Sequence, residues 1–256
     1  MENLKLSIIT VTYNSERYIR ETMRSILEQN YQNYEYIVVD GGSTDDTLSI
    51  LEEYKQLFGE KLYYISGRDN GIYDAMNKGI RLASGDYIGL INSDDRYTNT
   101  CFETVAKIVR EEEVEPDVIY SDLYLIDSNG DRTGCLMGDA NKLRIGMLVN
   151  HPTCFVRKTT YEKYGLFDIH YRIAADYDFM LRVYHNGGTF KKSSTVCAEF
   201  RVGGTSFDRY ESVIEKYKIQ RKYYGIIHCQ YIKLRGIYRC KIVPILKKYI
   251  KSKKGL

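Results

Sequence analysis

Strands and helices alternate regularly over the first half of the chain. Apolar runs rich in β-branched residues predict strands at residues 6–12, 34–39, 62–65 and 86–91. The segments between them carry apolar residues at helical spacing. Parallel strands need a crossover connection, which is usually a helix, so this alternation is typical of a parallel sheet covered by helices on both faces. We therefore expect an α/β fold.

Acidic side chains follow two of these predicted strands. Asp40 ends the second strand, and the pair Asp94 and Asp95 follows the fourth. Ligands of such sheets bind at the carboxyl edge of the strands. Mg²⁺ and Mn²⁺ bind through one or two carboxylates and complete their shell with phosphate oxygens. The pair therefore predicts a metal and diphosphate site, and the alternative is a solvated turn that caps a helix.

The second half of the chain is less regular and contains a third acidic candidate. Asp176 opens a predicted helix over residues 176–186. As a general base it would take the proton from a sugar hydroxyl, and as the alternative it caps the helix. The other predicted elements are a helix at 102–110, strands at 118–120 and 153–156, a hairpin turn at 127–130, and mainly helical structure over 208–250 with breaks near Gly225 and Gly236.

Several basic or polar positions are further candidates for the site. His151 is predicted to join the metal site or to contact phosphate, with a purely structural role as the alternative. Arg68 and Lys78 are candidate phosphate contacts. The loop at residues 201–206 (RVGGTS) combines a cation, two glycines and a hydroxyl, and it either cradles a phosphate or is an ordinary turn.

Absent motifs exclude some classes of protein. The chain has neither GxGxxG after its first strand nor GxxxxGK[ST], which argues against a dehydrogenase and a P-loop NTPase. Its six cysteines form no CxxC pair, so we expect reduced thiols and no zinc site. No signal peptide is recognisable, and the longest apolar run is far shorter than the ~20 residues that cross a bilayer. These features predict a cytoplasmic protein.

Charge is distributed unevenly. The net charge is +3, but residues 216–256 hold 13 Lys and Arg residues and no Asp or Glu, which leaves a net charge of −10 on the rest. A basic helical surface that also carries tyrosines can lie on an anionic leaflet, and a solvated helix face is the alternative. We therefore expect peripheral association with the inner face of the plasma membrane. No motif supports nucleic-acid binding.

Six segments carry a resemblance to a known family. They are residues 7–14 (SIITVTYN), 38–45 (VVDGGSTD), 71–79 (GIYDAMNKG), 83–87 (ASGDY), 92–95 (NSDD) and 175–178 (ADYD). In this order they resemble the inverting glycosyltransferases of family 2, over residues 4–206. The resemblance is greatest to the bacterial branch that builds exopolysaccharide, capsule and lipopolysaccharide units, including colanic-acid-type enzymes.

The resemblance implies a GT-A fold, in which a mostly parallel nucleotide-binding sheet is flanked by helices. The catalytic domain would span residues 1–207, with a nucleotide-binding half at 1–97 and an acceptor half at 98–207. A basic helical extension would follow at 208–256. The reaction would transfer a sugar from a nucleotide-sugar donor, expected to be a UDP-sugar, to a hydroxyl of a glycan or a polyprenyl-diphosphate-linked acceptor. Mn²⁺ or Mg²⁺ would be the cofactor.

Residue roles follow from the same resemblance. Thr12 and Tyr13 would line the nucleotide pocket, and Asp40 would face the base or ribose. Asp94 would contact the ribose or donor sugar, and Asp95 would ligate the metal under the diphosphate.

The resemblance also makes Asp176 the base, and it has two departures. Gly41 stands where the family often has a second acidic residue, and Ala175 stands where a glutamate often precedes the base. Two other functions remain as alternatives: a nucleotidyltransferase, and a non-catalytic nucleotide- or membrane-binding protein.

Overall fold

The alternating pattern of the first half folds as a parallel sheet. The computed structural model describes residues 4–203 and 210–238. Its first strands are β1 (Leu6–Thr12), β2 (Tyr34–Asp40), β3 (Leu62–Ser66) and β4 (Tyr87–Asn92), connected by α1 (Ile19–Leu27), α2 (Thr47–Phe58) and α3 (Ile72–Leu82). Strand β1 pairs in parallel with β2 and β4, and β2 pairs in parallel with β3. The carboxyl ends of all four strands therefore meet at one edge.

The second half extends this sheet and adds a smaller one. Its elements are β5 (Arg96–Tyr97), α4 (Cys101–Glu111), β6 (Val118–Tyr120), β7 (Leu123–Ile126), β8 (Arg132–Leu136), β9 (Phe155–Arg157), α5 (Lys158–Tyr164), α6 (Ala175–His185), β10 (Phe190–Lys192), β11 (Ala198–Arg201), α7 (Tyr210–Gln220) and α8 (Ile226–Ile237), with short 3₁₀ helices at Gly59–Lys61, Ala140–Ile145 and His151–Thr153. In the described part of the chain the larger sheet has the order β10-β6-β9-β4-β1-β2-β3. The smaller sheet has the order β5-β11-β7-β8. This is the mixed α/β architecture of a GT-A fold.

The larger sheet is covered on both faces, so its central strand is buried throughout. All residues of β1 are buried, because alternate side chains point to opposite layers. Ile9 and Val11 pack in the layer that contains α3 and α6, whereas Leu6 and Ile8 pack in the layer that contains α1, α2 and α4. This two-sided burial makes β1 a continuous apolar run in the sequence.

Helix α7 and the residues that follow it pack on α6. On α6, the buried carboxylate of Asp178 accepts a hydrogen bond from Lys222 Nζ at 2.7 Å, and Gln220 Nε2 donates to the Tyr177 hydroxyl at 3.0 Å. Gly225 precedes α8 as expected, and α8 ends at Ile237, one residue after Gly236, where the second break was predicted. A Cβ at Gly236 would lie 2.9 Å from Val213 Cγ1, so the glycine allows close contact with α7. The part of the predicted helical segment beyond residue 238 lies outside the described residues.

None of the helices in the described ranges is both long and apolar enough to cross a bilayer.

Candidate active site

Two adjoining clefts open at the carboxyl edge of the larger sheet. The first has a volume of about 760 Å³ and is lined by Thr12, Tyr13, Arg68 and Asp94 among others, so the structure brings together four of the residues predicted from the sequence. The second has a volume of about 480 Å³ and is lined by Asp176 and His151 among others. The two clefts share three lining residues, which are Ile72, Asn92 and Phe200. A ligand in the first cleft is therefore accessible to a group in the second.

Asp40 lies beneath the first cleft and lines neither cleft. Its carboxylate is fully buried and accepts hydrogen bonds from the backbone N–H of Gly42 at 3.1 Å and of Ser43 at 3.0 Å, and from Ser66 Oγ at 2.6 Å. These contacts tie the turn after β2 to the end of β3. The geometry thus gives Asp40 a structural role and does not support its predicted contact with the base or ribose.

Asp69 was not predicted from the sequence as a site residue, but it lines the first cleft beside Gly41. Its Oδ2 atom lies 3.3 Å from the position that a Cβ would take at Gly41, and the ring of Tyr13 lies 3.5 Å from the same position. A side chain at position 41 would be in tight contact with Asp69, and an acidic one would add repulsion between like charges, so the glycine suits the presence of Asp69. A sequence signal was available, because Asp69 lies in the loop that follows β3, just as Asp40 lies at the carboxyl end of β2.

Lys78, predicted to contact phosphate, instead holds Asp69 in place. Its Nζ atom forms an ion pair with Asp69 Oδ1, and it lies 3.4 Å from Asp74 Oδ2. The hydrogen bond to Asp69 raises the pKa of Lys78, so this lysine stays charged. Lys78 lines neither cleft, whereas exposed Arg68 does line the first and remains placed for a phosphate contact.

The adjacent carboxylates Asp94 and Asp95 face different surroundings. Asp94 lines the first cleft, while Asp95 is fully buried and lines neither cleft. Asp95 Oδ1 accepts from the backbone N–H of Arg201 at 2.9 Å, and Asp95 Oδ2 accepts from Asn92 Nδ2 at 3.2 Å. Burial raises the pKa of Asp94, and burial together with the neighbouring Asp94 charge raises that of Asp95 further. A bound cation would relieve the repulsion between the two carboxylates.

The residues around Asp94 fit a hard divalent cation. Asn92 Oδ1 is buried and has no hydrogen-bond partner among the described residues. Asn92 lines both clefts, and the neighbouring Asp94 lines the first. Amide and carboxylate oxygens are ligands that Mg²⁺ and Mn²⁺ accept. Within residues 4–203 and 210–238 no three His, Cys, Asp or Glu side chains converge as a metal site. Such a cation would therefore need further ligands from phosphate and water.

Asp176 is partly exposed at the start of α6 in the second cleft. Its Oδ1 atom lies 3.1 Å from the Tyr73 hydroxyl, which also lies 2.9 Å from the carbonyl oxygen of Ile173. Tyr73 belongs to the segment at 71–79 that carried part of the family resemblance. The N-cap residue of α6 is Ala174, so Asp176 is not the cap that was its alternative role.

Glu215 of α7 binds the backbone in front of α6. Its carboxylate accepts hydrogen bonds from the N–H groups of Arg172 at 2.9 Å, Ile173 at 2.9 Å and Ala174 at 3.0 Å. A carboxylate there satisfies donors that precede the helix and interacts favourably with the helix dipole. Asp176 Oδ1 itself accepts a hydrogen bond from the backbone N–H of Tyr177 at 2.8 Å, and Asp176 lines the second cleft, where a ligand can reach its carboxylate.

His151, predicted to join the metal site or to contact phosphate, lies in the second cleft. Its ring packs edge-on against Phe167 at 5.8 Å. Burial lowers the pKa of His151, and the opposing charge of Asp176 raises it, with burial the larger effect. The imidazole lies in the same cleft as the candidate base, and its metal or phosphate role stays a prediction.

Arg201 is buried and holds the main chain of the site. It donates to the Asp94 carbonyl at 3.2 Å, to the Asp127 carbonyl at 2.7 Å and to Glu21 Oε2 at 2.7 Å. Gly203 has a φ of +116°, consistent with the turn alternative. The remaining part of the proposed phosphate loop, at 204–206, lies outside the described residues.

The fold and the two clefts define a class of protein. The mixed α/β sheet, with the two clefts at its carboxyl edge, has the architecture of a GT-A fold. The family described as Glycosyl transferase family 2 matches residues 7–165, which is more than half of the chain. The chain belongs to this family and is a glycosyltransferase.

Named relatives and solved structures agree with this assignment. A PGL/p-HBAD biosynthesis glycosyltransferase of Mycobacterium bovis is 33% identical over 181 residues, which cover 70% of each chain. Chondroitin synthase of Escherichia coli is 28% identical over 248 residues, which cover 94% of this chain and 34% of that protein. The structure of S. aureus TarS 1–349 in complex with UDP-GlcNAc has a TM-score of 0.69 at 22% identity and covers 92% of this chain and 73% of that one.

A mannosyltransferase from Pyrobaculum calidifontis in complex with GDP-Man and Mn²⁺ has a TM-score of 0.70 at 17% identity, with coverage of 92% of this chain and 71% of that one. At these identities the structural likeness shows the fold alone.

Proposed function

We propose that this chain transfers a sugar from a UDP-sugar to an acceptor hydroxyl with inversion at the anomeric carbon. The observation that carries the proposal is the pair of adjoining clefts, with Asp94 in one and Asp176 in the other. A nucleotide diphosphate in the first cleft would present its sugar towards the second. An acceptor in the second cleft would then meet the sugar beside a carboxylate.

Asp176 would act as the general base. Its carboxylate takes the proton of the acceptor hydroxyl while that oxygen bonds to the anomeric carbon, and the bond from this carbon to the diphosphate oxygen breaks. The new bond forms on the face opposite to the leaving group, which inverts the centre. The Tyr73 hydroxyl, 3.1 Å from Asp176 Oδ1, fixes the orientation of the carboxylate.

Asp94 and Asn92 would hold Mn²⁺ or Mg²⁺, in place of the predicted ligands Asp95 and His151. Asp94 lines the first cleft and Asn92 Oδ1 is unpartnered, whereas Asp95 is buried and already bound. When bound, the cation supplies neutralisation of the charge on the departing diphosphate. Arg68, also in the first cleft, adds a positive charge from the protein itself.

Tyr13, Gly41 and Asp69 would recognise the nucleobase. The largely exposed ring of Tyr13 offers a stacking face, Gly41 leaves room for close approach, and Asp69 Oδ2 can accept a hydrogen bond. Thr12 Oγ1 is buried without a partner in the described part of the chain and lines the same cleft. Uracil presents an N–H donor at N3, whereas cytosine presents an acceptor there, so this arrangement favours uridine over cytidine donors.

Replacing Asp69 with asparagine should raise KM for a UDP-sugar by roughly tenfold and change kcat little. The variant loses the charged group that accepts a hydrogen bond from the nucleobase. Since this contact is equally strong in the ground state and in the transition state, its loss raises KM and leaves kcat unchanged. Initial-rate kinetics with varied donor concentration would measure both constants. Asp74→Asn is the matched control, because Asp74 is the other carboxylate near Lys78 and lines neither cleft. Equal KM values in both variants would remove Asp69 from base recognition.

The acceptor is proposed to be a glycan or a polyprenyl-diphosphate-linked sugar in surface polysaccharide synthesis of the colanic-acid type. Arg172 and Lys216 line the second cleft, and these cations suit an acceptor that carries a diphosphate. The names of the mycobacterial glycosyltransferases and of the chondroitin synthase support a role in building an extended glycan or glycolipid.

Release of UDP from UDP-sugars tests the proposed reaction. With Mn²⁺ present, we expect UDP release that increases on addition of acceptor, and chelation with EDTA should abolish it until Mn²⁺ is restored in excess. Pyrophosphate as the product would indicate a nucleotidyltransferase. Donor binding without any turnover across a panel of acceptors would indicate a non-catalytic nucleotide-binding protein. Full turnover in EDTA would contradict the metal requirement.

A further inference from the structure

Helix α8 exposes a row of large apolar side chains. Ile227, Tyr231, Leu234 and Tyr238 follow one another at intervals of four, three and four residues, which places them on one side of the helix. Their exposed fractions are 84%, 62%, 64% and 49%. The opposite side carries buried Cys229 and contacts α7 through Gly236. We call these four residues the α8 stripe. The stripe contributes nothing to the core that holds the helix.

The last part of the described chain, which includes α8, carries charge of one sign. Residues 216–238 contain six Lys and Arg residues and no Asp or Glu. The preceding part of the chain, residues 1–215, carries a net charge of −10. An anionic surface would therefore attract the extension and repel the rest of the molecule, which would orient the protein with α8 towards that surface.

Helix α8 packs against α7, and α7 lines the second cleft. Ser212 and Lys216 of α7 line this cleft. Tyr217, next in α7, contacts α8: its hydroxyl accepts a hydrogen bond from Gln230 Nε2 at 3.3 Å, and its ring lies 4.6 Å from Lys233 Nζ. A surface bound by α8 would consequently be close to the cleft that contains Asp176.

We propose that the α8 stripe docks on an anionic phospholipid surface, with its apolar side chains in the interface and the surrounding cations at the headgroups. Exposed apolar residues flanked by Lys and Arg are the features that hold an amphipathic helix in the plane of a membrane. A second copy of this chain fits less well, because a two-fold contact through α8 would bring like charges together. The proposal goes beyond sugar transfer and does not depend on it.

Vesicle co-sedimentation of the full chain tests this docking. The two most exposed aliphatic residues of the stripe are changed together, as Ile227→Glu and Leu234→Glu. The control, Leu57→Glu with Val114→Glu, makes the same change of charge at side chains that are 60% and 75% exposed on the main body. The vesicles are phosphatidylcholine alone, or with about 30 mol% phosphatidylglycerol to provide the negative surface potential of a cytoplasmic leaflet.

The wild type and the control should sediment with the anionic vesicles and not with the neutral ones. The stripe variant should bind at least about tenfold more weakly, since it loses buried apolar area and gains repulsion. Equal binding by the stripe and control variants would overturn the proposal. The proposal would also be overturned if the wild type bound no vesicles and formed, in light scattering, a dimer that the stripe variant does not form. UDP release is measured on the same samples, so that loss of sugar transfer and loss of docking are recorded separately.

Discussion

Replacing Asp176 with asparagine is expected to lower kcat by about 10²–10⁴-fold, the range typical of a lost general base. An amide cannot take the acceptor proton, yet its oxygen can still accept the hydrogen bond from Tyr73 that the carboxylate accepts at 3.1 Å. The variant should therefore fold normally and bind UDP as the wild type does. Single-turnover kinetics with a saturating donor would measure the chemical step directly.

Glu53→Gln is a suitable control for this experiment. Glu53 is an exposed carboxylate on α2 that pairs with Arg20 and lines neither cleft, so the same carboxylate-to-amide change there should leave kcat unaltered. A rate in Asp176→Asn close to that of the control would exclude Asp176 as the base. His151, in the same cleft, would then be the next residue to test.

Asp94→Asn is expected to have the second large effect, a loss of about 10²–10³-fold in kcat together with a higher Mn²⁺ concentration needed for half-maximal activity. The variant removes the charged oxygen that lines the first cleft, and with it much of the stabilisation of the departing diphosphate. Titration of Mn²⁺ in the presence of UDP would show a raised Kd. Asp46→Asn is the matched control. Asp46 is exposed, is the N-cap residue of α2 without a side-chain hydrogen bond to the helix, and lines neither cleft.

Asp95→Asn distinguishes the geometric assignment from the one made on sequence. Asp95 is buried and accepts a backbone hydrogen bond from Arg201, so its replacement should lower Tm while the Kd for Mn²⁺ changes less than in Asp94→Asn. If Asp95→Asn raised this Kd more than Asp94→Asn did, the metal would belong to Asp95 as the family resemblance implied.

Most strands and helices of residues 1–97 were predictable because their sequence signals are local. Strands buried on both faces give continuous apolar runs, and helices between them give apolar residues at helical spacing, so the alternation is visible without any tertiary information. Carboxylates at 94 and 176 were found because each directly follows or begins a predictable element. The close approach of α7 at Gly236 could not be predicted, since a glycine that permits close helix contact looks the same in sequence as one that ends a helix.

The sequence alone could not show which of two neighbouring carboxylates faces a ligand. Asp40 ends β2 and Asp69 lies just beyond β3. Hydrogen bonds from the turn after β2 and from Ser66 hold the Asp40 carboxylate in a buried position, whereas Lys78 holds Asp69 at the cleft. Asp94 and Asp95 are adjacent, and the backbone N–H of Arg201, more than a hundred positions away, binds the second of them. Each choice depends on a partner that no local pattern contains.

By itself the sequence determined the class of fold, the edge of the sheet at which ligands bind, and the family, since all three depend on periodicity and on short ordered motifs. Only the tertiary structure decided which side chains line the clefts and that Glu215, rather than Asp176, binds the backbone in front of α6. The physical reason is that a carboxylate is directed by its hydrogen-bond donors, and these donors come from distant segments that meet only when the chain is folded.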